Sequence, residues 1–149
     1  MSRKWFDNKV PNNEKISCEN KLESMAKIAV EKYIHNFDIY KIEMAANEVL
    51  NLAISTNLYL NDNQPWVLIK DKDNLPFVKE IIYNVLESTR IIGLLLLPLL
   101  PGLSSKINEQ LGAIYKKEIP WKQQLEWGLL ISNSSLPKPT PIINKLEYE

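Results

Sequence analysis

Histidine and cysteine are almost missing from this chain: its 149 residues include one of each, His35 and Cys18. A zinc site of the usual ligand set needs more such side chains, so that class of metal centre is excluded. A lone cysteine also rules out an intrachain disulfide. A cysteine–histidine nucleophile pair would require Cys18 beside His35, yet the two lie about five helical turns apart. His35 reads instead as a helix C-terminal residue that complements the helix dipole. Glycine is scarce too. Gly93, Gly102, Gly112 and Gly128 are too scattered to build a phosphate-cradling loop. Arginine is limited to Arg3 and Arg90, which leaves bidentate clamps for phosphate or guanine in short supply. Neither sign of charge predominates, with 18 basic against 18 acidic residues, so net charge gives no argument for a nucleic-acid partner. The greasiest run, residues 91–100, is about half the length of a membrane span and contains Pro98; it reads as a buried core helix. Residues 1–7 lack the apolar run of a signal peptide. With one cysteine, the chain reads as cytoplasmic, with no membrane partner.

What is present is an ordinary globular composition, 45% apolar and 24% charged, at a length that suits one domain with its own core. Hydrophobic residues recur with helical spacing. A short helix is expected over residues 1–7, ending at a polar stretch, 8–13, that contains Pro11. A second is expected over 19–35, capped by Ser17, with Leu22, Met25, Ala29 and Tyr33 on one face. A third is expected over 38–60, capped by Asp38, with a stripe of Ile39, Ile42, Ala46, Val49, Ala53, Thr56 and Leu60. Asn61, Asp62, Asn63, Gln64 and Pro65 then form a turn cluster. A fourth is expected over 75–97, capped by Asn74 with Pro76 in its first turn, its stripe running Phe77, Ile81, Val85, Ser88, Ile92, Leu95 and Leu99. Pro98 and Pro101 end it. A shorter helix over 103–111 stops at Gly112, and a brief one covers 121–126. Leu136, Pro137, Lys138, Pro139, Thr140 and Pro141 must be extended. With no repeat and no strand pattern, the expected fold is all-α. It is an antiparallel bundle of four to five helices over 1–135, with an extended tail over 136–149 that packs back on the protein.

Acidic residues are many but spread over helix surfaces. Glu43 and Glu48, and Glu80 and Glu87, read as solvated faces rather than acid–base pairs. No residue here is expected to be catalytic.

The informative segment joins the third and fourth helices. Pro65 and Trp66 follow a polar turn, and Val67, Leu68, Ile69 and Lys70 follow them. A tryptophan so placed is either a core residue or a platform on which an unpaired base can stack. The segment from Asn57 through Tyr59 to Pro65, Trp66 and Lys70 resembles bacterial-type methionyl-tRNA synthetases. The likeness continues in order. It takes in residues 97–101, then Lys106 to Gly112, then Trp127 and Gly128, then the Pro139–Glu147 tail; Lys4, Trp5, Phe6 and Asp7 resemble the end of the family domain's first helix. The related synthetases for isoleucine, valine, leucine and cysteine share the helical bundle; the polar turn before Pro65 and the proline-alternating tail favour the methionine enzyme.

The resemblance implies recognition of the CAU anticodon loop of tRNA-Met. Trp66 meets the first anticodon base, Pro65 is its neighbour, and Lys70 and Lys72 are candidates for phosphate contacts. The family's asparagine–arginine pair would fall before residue 1, and Arg3 does not match it. The family's two-histidine signature and its Lys-Met-Ser-Lys-Ser loop have no counterpart. ATP and methionine would therefore bind a catalytic domain outside this chain, in cis or as a separate polypeptide, and no cofactor or metal is expected here. DNA is not expected as a partner. The alternative is a helical interaction module or relic with no RNA binding of its own.

Overall fold

The computed structural model describes residues 1–12, 16 and 20–143. Four long helices make the body. α1 (Ser2–Trp5) is a single turn with no buried residue. α2 (Lys21–Asp38) begins where the Asn20 carboxamide accepts from the Glu23 amide at 3.1 Å, satisfying a first-turn N–H. Ser17, the cap expected from sequence, lies outside the described residues, as does Cys18. Leu22, Ala26, Ala29 and Tyr33 form the buried face of α2, while Met25, expected among them, is exposed. His35 sits in the last turn, as its role at the dipole requires.

Asp38 closes α2 rather than capping the next helix. The chain reverses through Tyr40, whose φ of 61° is a left-handed conformation, and α3 (Ile42–Asn63) starts after Lys41. The core face of α3 is Ala45, Val49, Leu52 and Thr56. The expected stripe was therefore rotated. It shares Val49 and Thr56 with the core, but its Ile39, Ile42 and Ala46 are exposed. The physical reason is that α3 is apolar on two sides, so spacing alone could not say which side is covered.

α3 ends at Gln64, also left-handed (φ 42°), and Pro65 starts the one-turn α4 (Pro65–Leu68). A 3-10 turn, Lys72–Asn74, feeds α5 (Leu75–Leu96). Asn74 holds the cap position of α5 but its side chain makes no cap hydrogen bond. Pro76 stands in the first turn, where a missing N–H costs little. α5 is the central helix and is buried on nearly every side. α2, α3 and α6 all pack against it. It runs antiparallel to α3, with the Thr56 and Ser88 hydroxyls 2.6 Å apart, and Asn84 donating to the Tyr59 hydroxyl at 3.1 Å. α6 (Pro101–Gln110) begins two residues earlier than expected, because Pro101 takes its first position, where a missing N–H costs little. Gly112 follows with φ +92°, the conformation glycine takes most readily. A 3-10 turn covers Trp121–Leu125.

The described residues contain no strand, only an isolated antiparallel bridge between Lys9 and Ser135. Two apolar clusters result. The larger joins α2, α3 and α5 with Leu125, and the smaller gathers Val10, Tyr83 and Leu130. Near the end, Gln110 exchanges hydrogen bonds with Thr140, and Lys106 donates to the Ile142 carbonyl.

Glu80 and Glu87, expected on solvated faces, are both buried. Glu87 is fully enclosed. It accepts from Arg90 at 2.6 and 2.9 Å and from the backbone amides of Gly128, Leu129 and Leu130. Arg90 in turn donates to the carbonyls of Gln124 and Glu126. An enclosed carboxylate is tolerated only when paired and hydrogen-bonded in this way. This ion pair ties the irregular 124–130 segment to α5, and it takes one of the two arginines out of any role at the surface.

Candidate functional site

The connection between α3 and α5 carries all four residues singled out from sequence. Its shape follows from three local facts. The left-handed Gln64 turns the chain, Pro65 presets the first helical φ, and the pair of hydrogen bonds from Val67 N to Gln64 O (2.8 Å) and Ile69 N to Pro65 O (3.0 Å) closes the turn. Pro65 is fully buried. Trp66, one residue on, is 41% exposed and belongs to neither apolar cluster. The two adjacent residues thus divide the work, Pro65 as anchor and Trp66 as exposed indole.

The other three tryptophans show the contrast. Trp121 donates to the Leu94 carbonyl at 2.8 Å and packs near Tyr33, Trp127 packs on the main core, and Trp5 is half-buried. A core tryptophan finds a partner for its N–H and covers its faces. Trp66, at 41% exposure, offers more of its surface to solvent than these three.

Lys70 and Lys72 are both exposed on the same connection. They alternate with Asp71 and Asp73, and the Asp71 carboxylate is used locally, accepting from the Asp73 amide at 3.0 Å to cap the 3-10 turn. The local field is therefore mixed rather than strongly positive.

Sequence reasoning missed a polar cleft of about 460 Å³ at the same end of the bundle. Tyr59, Asn63, Glu80 and Asn84 line it, with Asn20 at its edge. Asn20 donates to Asn84 at 2.9 Å, and Asn84 to Tyr59. Burial pushes the Tyr59 phenol above its usual range, and the Glu80 charge adds to the rise while the Asn84 hydrogen bond opposes it. The asparagines gave no signal in sequence, because their spacing matches no motif. Among the described residues no group of histidine, cysteine, aspartate or glutamate could hold a metal ion. None of the described helices is long and apolar enough to cross a membrane.

The fold recurs in solved structures. The free state of Mycobacterium tuberculosis methionyl-tRNA synthetase contains it with a TM-score of 0.84 at 23% identity, covering 100% of this chain and 30% of that one. The same enzyme in complex with methionyl-adenylate gives a TM-score of 0.81, covering 97% and 28%. The fold class is thus an all-helical domain that recurs within these larger chains. The methionine–tRNA ligase of Nostoc sp. is 33% identical over 140 residues, 91% of this chain and 26% of the relative. That of Synechocystis sp. is 32% identical over 142 residues, with 89% and 26% covered. The family described as the anticodon binding domain of methionyl tRNA ligase matches residues 10–149, and the chain belongs to that family. It spans about a quarter of the length of the curated relatives it matches.

Proposed function

We propose that this domain binds the anticodon loop of tRNA-Met by stacking an unpaired base on Trp66. It would thereby position the tRNA for aminoacylation by a catalytic domain that is in cis or a separate polypeptide. The observation that carries this reading is the pairing of a buried Pro65 with an exposed Trp66 on a closed, one-turn helix. A rigid indole offered to solvent can stack on a splayed base at little entropic cost, and unpaired loop bases are read in this manner. Pro65 acts by holding the turn; its buried ring is not offered to a base. On this reading Lys70 and Lys72, both exposed on the same connection, meet loop phosphates. ATP and methionine belong to the catalytic domain, and nothing in this reading requires a cofactor here.

The test is binding of a methionine-tRNA anticodon stem-loop by the chain and by Trp66→Ala. Stacking of a base on an aromatic side chain contributes about 1–3 kcal/mol, so the variant should bind roughly 5- to 150-fold more weakly with an unchanged helical spectrum. Equal binding by both proteins would remove Trp66 from the site. No binding by the wild type above a non-cognate stem-loop would remove the RNA reading of the isolated chain.

A second reading, a helical module that docks on another protein without touching RNA, draws on a different observation: the exposed apolar side of α3.

A further inference from the structure

Three side chains at the Trp66 end of the bundle are joined by hydrogen bonds that all run in one direction. The Asn20 oxygen is held by the Glu23 amide as the cap of α2, so its Nδ2 is left to donate, and it meets Asn84 Oδ1 at 2.9 Å. Asn84 is only 2% exposed; its own Nδ2 donates to the Tyr59 hydroxyl at 3.1 Å. The order is fixed from one end, because a backbone amide can only donate and each carboxamide has one accepting and one donating end. The Tyr59 oxygen therefore accepts, and its proton is offered elsewhere. No described residue accepts it. Burial pushes this phenol above its usual range, so the proton is present at neutral pH. The backbone of Tyr59 is held as well: Asn63 Nδ2 donates to its carbonyl at 2.7 Å, directly before Gln64 turns the chain toward Trp66.

We propose that the Tyr59 hydroxyl donates to the edge of a second loop base, beside the one stacked on Trp66, and that Asn20 and Asn84 are positioning residues that aim its proton. This inference rests on the proposed function and deepens it by naming a further contact. All three residues line the polar cleft of about 460 Å³. The rest of the lining says which part of an RNA suits it. Asp62 and Glu80 stand against a single lysine, Lys21, an arrangement that repels a phosphate. Met25 and Leu58 add apolar side chains against which a flat ring can lie. An unpaired base is such a ring, with carbonyl and ring-nitrogen acceptors on its edge, and single-stranded loops are read by edge hydrogen bonds together with stacking. The cleft extends to Asn63, three residues before Trp66, so both contacts belong to one end of α3.

The experiment titrates a methionine-tRNA anticodon stem-loop, and a set in which each loop nucleotide in turn is made abasic, against the chain, Tyr59→Phe and Trp66→Ala. On the intact loop Tyr59→Phe should bind about 2- to 12-fold more weakly, the range of one hydrogen bond. On one abasic loop the wild type and Tyr59→Phe should bind equally, because the base that meets the hydroxyl is gone, while Trp66→Ala should still bind that loop more weakly than the wild type. If Tyr59→Phe does not fold, Asn84→Asp keeps the phenol but replaces its donor with an acceptor; it draws the proton inward and should show the same selective loss. A loss of equal size on every loop would give the hydroxyl a purely structural role and overturn the inference, as would undiminished binding of the intact loop by a folded variant. The wild type alone supplies a further check. If the only abasic position that weakens its binding is the one at which Trp66→Ala costs nothing more, no second base is read and the inference falls. Failure of the wild type to bind above a non-cognate stem-loop would overturn the RNA reading and this contact together; binding without the Tyr59 pattern would overturn this contact alone.

Discussion

Glu87 shows how much a single side chain can organise. Its carboxylate has no exposed surface, and its two oxygens collect one arginine and three backbone amides. Removing one partner of a buried pair leaves the other charge uncompensated, which costs about 3–5 kcal/mol. Glu87→Ala should therefore lose that amount in chemical denaturation, and a loss below about 1 kcal/mol would show that the pair does not hold the 124–130 segment. From sequence the two residues look like an ordinary surface pair three apart on a helix. Only the apolar residues on every side of them, Leu86, Ile91 and Ile92 included, hint at the interior, and periodicity cannot weigh that hint. Two tyrosines carry a different signal. Burial pushes the phenols of Tyr33 and Tyr115 up to about 12; for Tyr115 the Ser104 hydrogen bond and the Arg90 charge oppose the rise. An unfolded tyrosine ionises near 10. Between about pH 10 and 12 the unfolded chain therefore loses protons that the native chain keeps, and stability present below pH 10 falls as pH rises. Tyr33→Phe should flatten that fall, measured by denaturation at pH 9 and pH 11. It should not weaken the protein at pH 7, because the Tyr33 hydroxyl has no hydrogen-bond partner among the described residues. An undiminished slope would mean that Tyr33 ionises in the native state.

At the scale of elements, α5 and α6 meet at a place where only glycine fits. A Cβ on Gly93 would collide with the Tyr115 hydroxyl and stand 2.8 Å from Ile107 Cγ2, and Ser104 donates to the Gly93 carbonyl at 2.7 Å. Gly93→Ala would raise helix propensity yet force that contact apart, so it should destabilise the fold by about 1–3 kcal/mol. A gain in stability would show that α6 can slide at no penalty. From sequence Gly93 counted only among glycines too scattered to cradle a phosphate, and its reason is tertiary. The same division holds elsewhere. The existence of the four long helices was legible, because Pro65, Pro98, Pro101 and Gly112 punctuate the chain and each acts through its own backbone. The covered face of α3 was not, because both sides are apolar and the choice is made by α2 and α5. Asp38 looked like a cap by residue type, but the length of α2 is set by burial of Tyr33 and Asn36 in its final turns. For the site, a local signal sufficed to find Pro65 and Trp66, while the cleft of Asn20, Tyr59 and Asn84 draws on three helices and left no trace in spacing.

For the molecule as a whole, zero net charge constrains how RNA could be held. With 18 basic and 18 acidic residues, and Arg90 committed to Glu87, the chain has no net surplus of cations to neutralise phosphates. On the same connection as Trp66 the basic residues are Lys70 and Lys72, interleaved with Asp71 and Asp73. If those two lysines make the phosphate contacts, the logarithm of the binding constant should fall against the logarithm of salt with a slope of about −1.4, since each contact to a single-stranded loop contributes roughly 0.7. From 50 to 200 mM salt, affinity would then drop by only about sevenfold. A protein that held the loop by charge, with six or more contacts, would give a slope of about −4 and a far larger drop. The substitutions separate the two contributions. Lys70→Ala should bring the slope closer to zero by about 0.7, whereas Trp66→Ala should lower affinity at every salt concentration and leave the slope alone, because stacking releases no counterions. A steep slope in the wild type would place the RNA on some other, more basic surface, and a slope changed by Trp66→Ala would mean that the indole acts by arranging the lysines rather than by meeting a base.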